Sequence, residues 1–218
     1  MSDSDSFIEE VTEEVRRDRL FAVMRKWGWI PVLMVILIVG GAGYREYSLS
    51  KEQAAAEALG SSILAALSAD EADERIDALS QVETDSAGGK AVVAMLKAAE
   101  QATVGDEAAA AETLGAIAAN ADLPEIYRQI ATFKGLLRAS ETLTADERRA
   151  QFAVLATPGS PLRLLAEEQL ALLDVEDGDT EAAVTRLQRL IADSEVTPGL
   201  RRRVSQLIVA LGGDLAQT

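Results

Sequence analysis

Gly105-Asp106-Glu107-Ala108-Ala109-Ala110 and Gly178-Asp179-Thr180-Glu181-Ala182-Ala183 are one turn written twice. In each, the glycine can take the left-handed conformation that ends a helix. The aspartate can accept from the first free amides of the next helix. The alanines let the two helices approach closely. Leu114 and Ile117 follow the first turn, and Leu187, Leu190 and Ile191 the second, at core-facing helical spacing.

The same punctuation extends in both directions. Ser86, Asp122, Ser160 and Thr197 each precede an apolar-periodic segment, at separations of 36, 38 and 37 residues. Ser68, Asp106, Thr144 and Asp179 lie between them, 38, 38 and 35 residues apart. Pro161 and Pro198 follow two of these residues, where proline is favoured at the first helical position. Ser68-x-x-Glu71 and Thr144-x-x-Glu147 read as capping boxes. Two interleaved sets with one period of about 37 residues predict repeated helical hairpins rather than a plain helical bundle. The predicted pairs are 50–68 with 69–83, 87–104 with 106–120, 123–140 with 145–156, and 161–177 with 180–194, followed by a helix over 198–211. The expected fold is all-α: a solenoid of about four hairpins plus a final helix, each hairpin burying one face against its neighbours.

This turn resembles that of the tetratricopeptide repeat, in which glycine closes the first helix and alanine lies five positions on. Ala110 and Ala183 occupy that place. The period is longer than the usual 34 or so residues, and the aromatic residue of the first helix is mostly missing.

Ahead of the repeats, Trp27 to Tyr44 contains no charged residue over 18 positions. As a helix it spans about 27 Å, against a bilayer core of roughly 30 Å. Trp27, Trp29, Tyr44 and Tyr47 supply aromatic belts. The expectation is a transmembrane helix over 27–47. It separates a cytoplasmic tail (1–26) from an exported repeat domain (48–218). Arg16, Arg17, Arg19, Arg25 and Lys26 precede the span and only Arg45 and Lys51 closely follow it, which keeps the N-terminus in the cytoplasm. A cleaved signal peptide fits less well, because the apolar run exceeds the usual 7–15 or so residues. In the tail, Ser6-Phe7-Ile8-Glu9 reads as a helix start, with Phe7, Val11 and Val15 on one face. That face is either a docking surface or a solvated lead-in.

Composition narrows the chemistry. The chain of 218 residues has no Cys and no His, and a net charge of −15. Six of its 21 basic and eight of its 36 acidic residues precede Ser48, leaving the remainder a net −13. Such a field repels nucleic acid and anionic lipid headgroups, and favours basic or unfolded protein partners. Without His the commonest general base and metal ligand are missing. No nucleophile elbow, phosphate loop or metal-ligand spacing is present. No catalytic, cofactor-binding or metal-binding residue is therefore expected, and no enzymatic activity. Asp174 to Asp179 places Gly178 at the fifth rather than the sixth position of a calcium loop, so it reads as a helix end and the cap of the next helix. Arg201-Arg202-Arg203 would splay around a helix instead of forming one cradle. The candidate partner-binding residues are Tyr127, Arg128, Phe133 and Lys134, on the first helix of the third pair. Tyr127, Ile130, Phe133 and Leu137 also have the spacing of a core face.

The whole layout resembles the YfgM-like ancillary subunit of the SecYEG translocon of Gram-negative inner membranes. The resemblance is carried by the tail from Phe7 to Leu20, by Gly43-Tyr44-Arg45-Glu46-Tyr47 at the exit of the span, and by Val196-Thr197-Pro198-Gly199-Leu200 opening the last helix. It implies an inner-membrane protein that associates with SecYEG and with a periplasmic membrane-anchored chaperone, and passes exported proteins to periplasmic factors. The alternative is a cell-envelope scaffold coordinating division or cell-wall machinery.

Overall fold

The computed structural model describes residues 29–214, without the side chains of Pro31 and Val32. The predicted tail helix, its capping box and the cationic residues before the span lie outside the described residues, as do Trp27 and Gly28. Among the described residues there are nine α-helices, one 3-10 turn and no strand. They are α1 (Trp29–Leu67), α2 (Ala72–Ser80), α3 (Ala87–Thr103), α4 (Glu107–Ala119), α5 (Glu125–Arg138), α6 (Ala145–Leu155), α7 (Arg163–Glu176), α8 (Thr180–Ala192) and α9 (Pro198–Ala210), with the 3-10 turn at Ala139–Glu141.

The chain divides into two compact units, Met1–Ala58 and Leu59–Thr218, with the division inside α1. This corrects the expectation that the first repeat helix begins near residue 50. No helix breaker separates the apolar segment from Ser48-Leu49-Ser50-Lys51-Glu52, and one helix of 39 residues results. In the first unit, Leu33 to Val39 is a run of seven apolar residues, each between 44 % and 66 % exposed. Among the described residues no helix is long and apolar enough to cross a membrane.

In the second unit consecutive helices pack in chain order from α2 to α9, and α3 also touches α5. That pattern of neighbour-on-neighbour hairpins is consistent with the expected α-solenoid. The core forms a relay of clusters. Ala91, Ala98, Ala110, Leu114, Ile117, Leu123 and Ala131 join α3, α4 and α5. Leu136, Phe152, Leu155, Ala166, Leu170 and Leu173 join α5, α6 and α7. Ala171, Leu187, Leu190, Val196, Leu200, Val204 and Ile208 join α7, α8 and α9. Helices α5 and α7 thus each serve two clusters, one from each side.

The duplicated turn behaves as its sequence requires. Gly105 and Gly178 both have φ of +83°. The amides of Asp106 and Asp179 reach back to Gln101 and Asp174 carbonyls at 2.9 and 2.8 Å, the six-to-one bond of a Schellman cap. Asp106 then accepts from the Ala109 amide and Asp179 from the Ala182 amide. Ala110 and Ala183 are fully buried where the helices meet. A Cβ added at Gly178 would touch nothing. Gly178→Ala therefore carries only the left-handed backbone cost, about 1–2 kcal/mol. Urea unfolding should show this as a lower midpoint at unchanged slope.

Other caps divide. Ser86 and Thr197 cap α3 and α9, with Pro198 at the first helical position. Thr144 and Glu147 form the reciprocal capping box of α6, and the Thr144 amide and hydroxyl hold the Glu147 carboxyl below its usual range. Three expected caps are corrected. Ser68 does not start a helix: its hydroxyl donates to the Ala65 carbonyl at the end of α1, and α2 begins after Glu71 without a side-chain cap. Asp122 gives way to Pro124 as the residue that opens α5. Ser160 accepts from the Leu162 amide in a local turn, so α7 starts at Arg163 and Pro161 lies before it.

Candidate functional site

Six residues separate Tyr127 from Phe133, which on a helix is a rotation of about 240°. The candidate residues accordingly do not share one patch. Tyr127 packs against the α3–α4–α5 cluster, its hydroxyl so close to α3 that a Cβ at Gly88 would lie 2.7 Å from it. Phe133 packs on the α5–α6–α7 cluster and meets Phe152 edge to face, with centroids 5.7 Å apart and planes at 71°. Both aromatic rings therefore belong to the core. Lys134 is exposed. Arg128 lines a groove of about 400 Å³ between α5 and α6.

This groove is the site the structure assembles around a candidate residue. Helix α5 contributes Glu125, Arg128, Gln129 and Thr132, and α6 contributes Gln151 and Val154. It is open because α5 and α6 pack more sparsely than any other consecutive helices from α2 to α9. Val154 is 69 % exposed on its wall. The Gln129 side-chain nitrogen donates to Glu125 at 2.8 Å, which orients the amide and turns its oxygen away from that carboxylate. The Thr132 hydroxyl donates to the Arg128 carbonyl at 3.0 Å, one helical turn back. Gln129, Gln151 and Val154 carry no sequence signal of their own, since only the packing of α6 on α5 brings them together.

Charge is concentrated elsewhere, on α7. Glu168 is only 3 % exposed and is gripped by Arg203 of α9 through two hydrogen bonds of 2.6 Å. Asp174, 6 % exposed, takes Arg149 of α6 on one oxygen and Arg186 of α8 on the other, and Arg186 also reaches Glu167 at 2.8 Å. Burial pushes the Asp174 carboxyl up, but hydrogen bonds from Arg186 and Arg149 outweigh it and hold it below its usual range. At the start of α7, Arg163 binds Asp193 and Glu195, and its hydrogen bond lowers the Asp193 carboxyl. Helix α7 is thus fixed electrostatically to α6, α8 and α9. The stretch Asp174 to Asp179 is the end of one helix and the cap of the next, as its sequence suggests. The three consecutive arginines splay: Arg203 goes to Glu168, Arg201 to the Ile191 carbonyl, and Arg202 is exposed.

Asp174→Asn should lower stability by roughly 3 kcal/mol at neutral pH, because two partly buried arginines then face an uncharged amide. The folded carboxyl lies below the ordinary 3.8. Its contribution is therefore complete above that value and disappears as pH falls through the folded one. Urea unfolding across a pH series should show a constant gap between the two proteins from neutral pH to about pH 5, closing only below the ordinary carboxylate value.

Two further grooves are plainer. One of about 560 Å³ lies between α3 and α4, with an alanine floor and Asp85, Glu112 and Asp122 at its edge. The other, about 930 Å³, runs along α9 beside Arg201, Arg202 and Val209. No protein-family model, curated protein or solved structure matches the chain.

Proposed function

We propose that this chain is a non-enzymatic, single-pass inner-membrane interaction protein, ancillary to the SecYEG translocon. In this reading Trp27 to Tyr47 crosses the bilayer, the tail stays in the cytoplasm, and the hairpins stand in the periplasm, linking export to a membrane-anchored chaperone. The observation that carries it is the apolar run Leu33 to Val39, exposed along a helix that continues into the repeats. Each such side chain gains about 1.5–3 kcal/mol on leaving water, so seven in a row call for an apolar surrounding. The five cations ahead of the span set the orientation. A non-enzymatic role is supported by the absence of His and Cys from the sequence, and by the engagement of the buried carboxylates with arginines.

The test is photo-crosslinking in cells from Tyr47 and from Val154, with mass spectrometry of the adducts after carbonate extraction of membranes. Adducts to translocon subunits or a periplasmic chaperone are expected, with the protein retained in the membrane fraction. Release by carbonate, or adducts to division or cell-wall proteins alone, would end the export reading.

A further inference from the structure

Two residues that line the α5–α6 groove each carry a buried polar atom left unpaired by the fold. Arg128 Nε and Gln129 Oε1 are both buried and have no hydrogen-bond partner among the described residues, and both side chains line that one groove. A buried polar atom without a partner costs about 1–3 kcal/mol. Native folds leave few such atoms, so two on consecutive residues of one cleft call for an explanation. One is a donor and the other an acceptor. Beside them, Gln129 Nε2 donates to Glu125 and the Thr132 hydroxyl donates to the Arg128 carbonyl.

Ligand classes can be sorted on this pair. A carboxylate satisfies Arg128 but leaves the Gln129 oxygen unmet and stands beside Glu125. A cation satisfies Gln129 but meets the Arg128 guanidinium. A peptide unit offers a carbonyl to the first and an N–H to the second. The volume of about 400 Å³ falls within the usual range for ligand clefts. Exposed Val154 supplies an apolar wall for an alternate side chain of an extended segment.

We infer that this groove binds an extended polypeptide main chain, with Arg128 donating to a backbone carbonyl and Gln129 Oε1 accepting from a backbone N–H. Engagement turns the two side chains toward the ligand and relieves both unpaired atoms. Recognition through the main chain is indifferent to most side chains, which deepens the interaction role proposed above and rests on it for the source of the peptide.

The test uses the full chain in detergent micelles and a fluorescent Ser-Val-Ser-Val-Ser peptide with both ends blocked, followed by anisotropy. Arg128→Met and Gln129→Met should each weaken binding roughly tenfold or more, the value of one hydrogen bond to a charged or buried partner. Their thermal midpoints should stay level or rise, because each removes an unpaired polar atom. Failure of the blocked peptide to bind, competition by acetate alone, or variants that lose stability while keeping affinity would each overturn the assignment. Peptide binding in vitro without translocon or chaperone adducts in cells would sink the export reading and leave the groove standing. Adducts without peptide binding would do the reverse.

Discussion

Arg203→Met is expected to destabilise the repeat unit by about 3–5 kcal/mol, and Glu168→Gln by distinctly less. The two substitutions break the same pair of 2.6 Å hydrogen bonds. They differ in what remains. The Arg203 side chain is 53 % exposed, so its guanidinium regains water when Glu168 is neutralised. The Glu168 side chain is 4 % exposed, so after Arg203→Met its carboxylate stays in the interior with no counter-charge. Methionine keeps most of the packing of the arginine stem, which isolates the charge effect. Urea unfolding of the two variants and the double variant reads the result. Equal losses for both single variants would mean that Glu168 is better hydrated than its burial indicates.

Phe152→Ala should cost about 3–5 kcal/mol, the usual range for deleting a large core aromatic. Phe152 is 2 % exposed and is the largest fully buried side chain among the described residues. It lies where Leu136 of α5 and Leu170 and Leu173 of α7 converge. Its edge-to-face contact with Phe133 adds about 0.5–1.5 kcal/mol to the loss of area. Phe133→Leu keeps an apolar side chain at a half-buried position and should cost less. A loss below about 1.5 kcal/mol for Phe152→Ala would show that α6 can collapse into the space, the outcome that distinguishes soft sites from rigid ones.

Turn chemistry made most of the fold legible. Gly105-Asp106 and Gly178-Asp179 place helix ends within a residue or two, because a left-handed glycine followed by an N-cap leaves the backbone few alternatives. Thr144 with Glu147, and Thr197 with Pro198, do the same. Ser68 and Ser160 misled for a common reason: short polar side chains bond to nearby backbone in turns as readily as at caps, and spacing alone does not separate the two uses. At Asp122 the neighbouring Asn120 takes the turn-forming role, its side chain accepting from the Asp122 amide. The unbroken α1 was hidden by the shift in composition near Tyr47, which changes the environment of a helix without ending it. At the site, Arg128 could be picked out, but its grouping with Tyr127 and Phe133 failed because six residues carry a helix around to another face. Gln129 and Gln151 became visible only through the packing of α6 on α5.

That sparse contact between α5 and α6 also bears on how the molecule comes apart. Stability in a stack resides in nearest-neighbour interfaces, and this one is bridged by Phe133 and Leu136 on α5 and by Phe152 and Leu155 on α6. Under mild denaturant the amides of α3 to α5 would exchange with solvent as one group and those of α7 to α9 as another, each with its own opening free energy. Calorimetry would then return a van't Hoff enthalpy smaller than the total heat absorbed, the mark of two melting units within one continuous core.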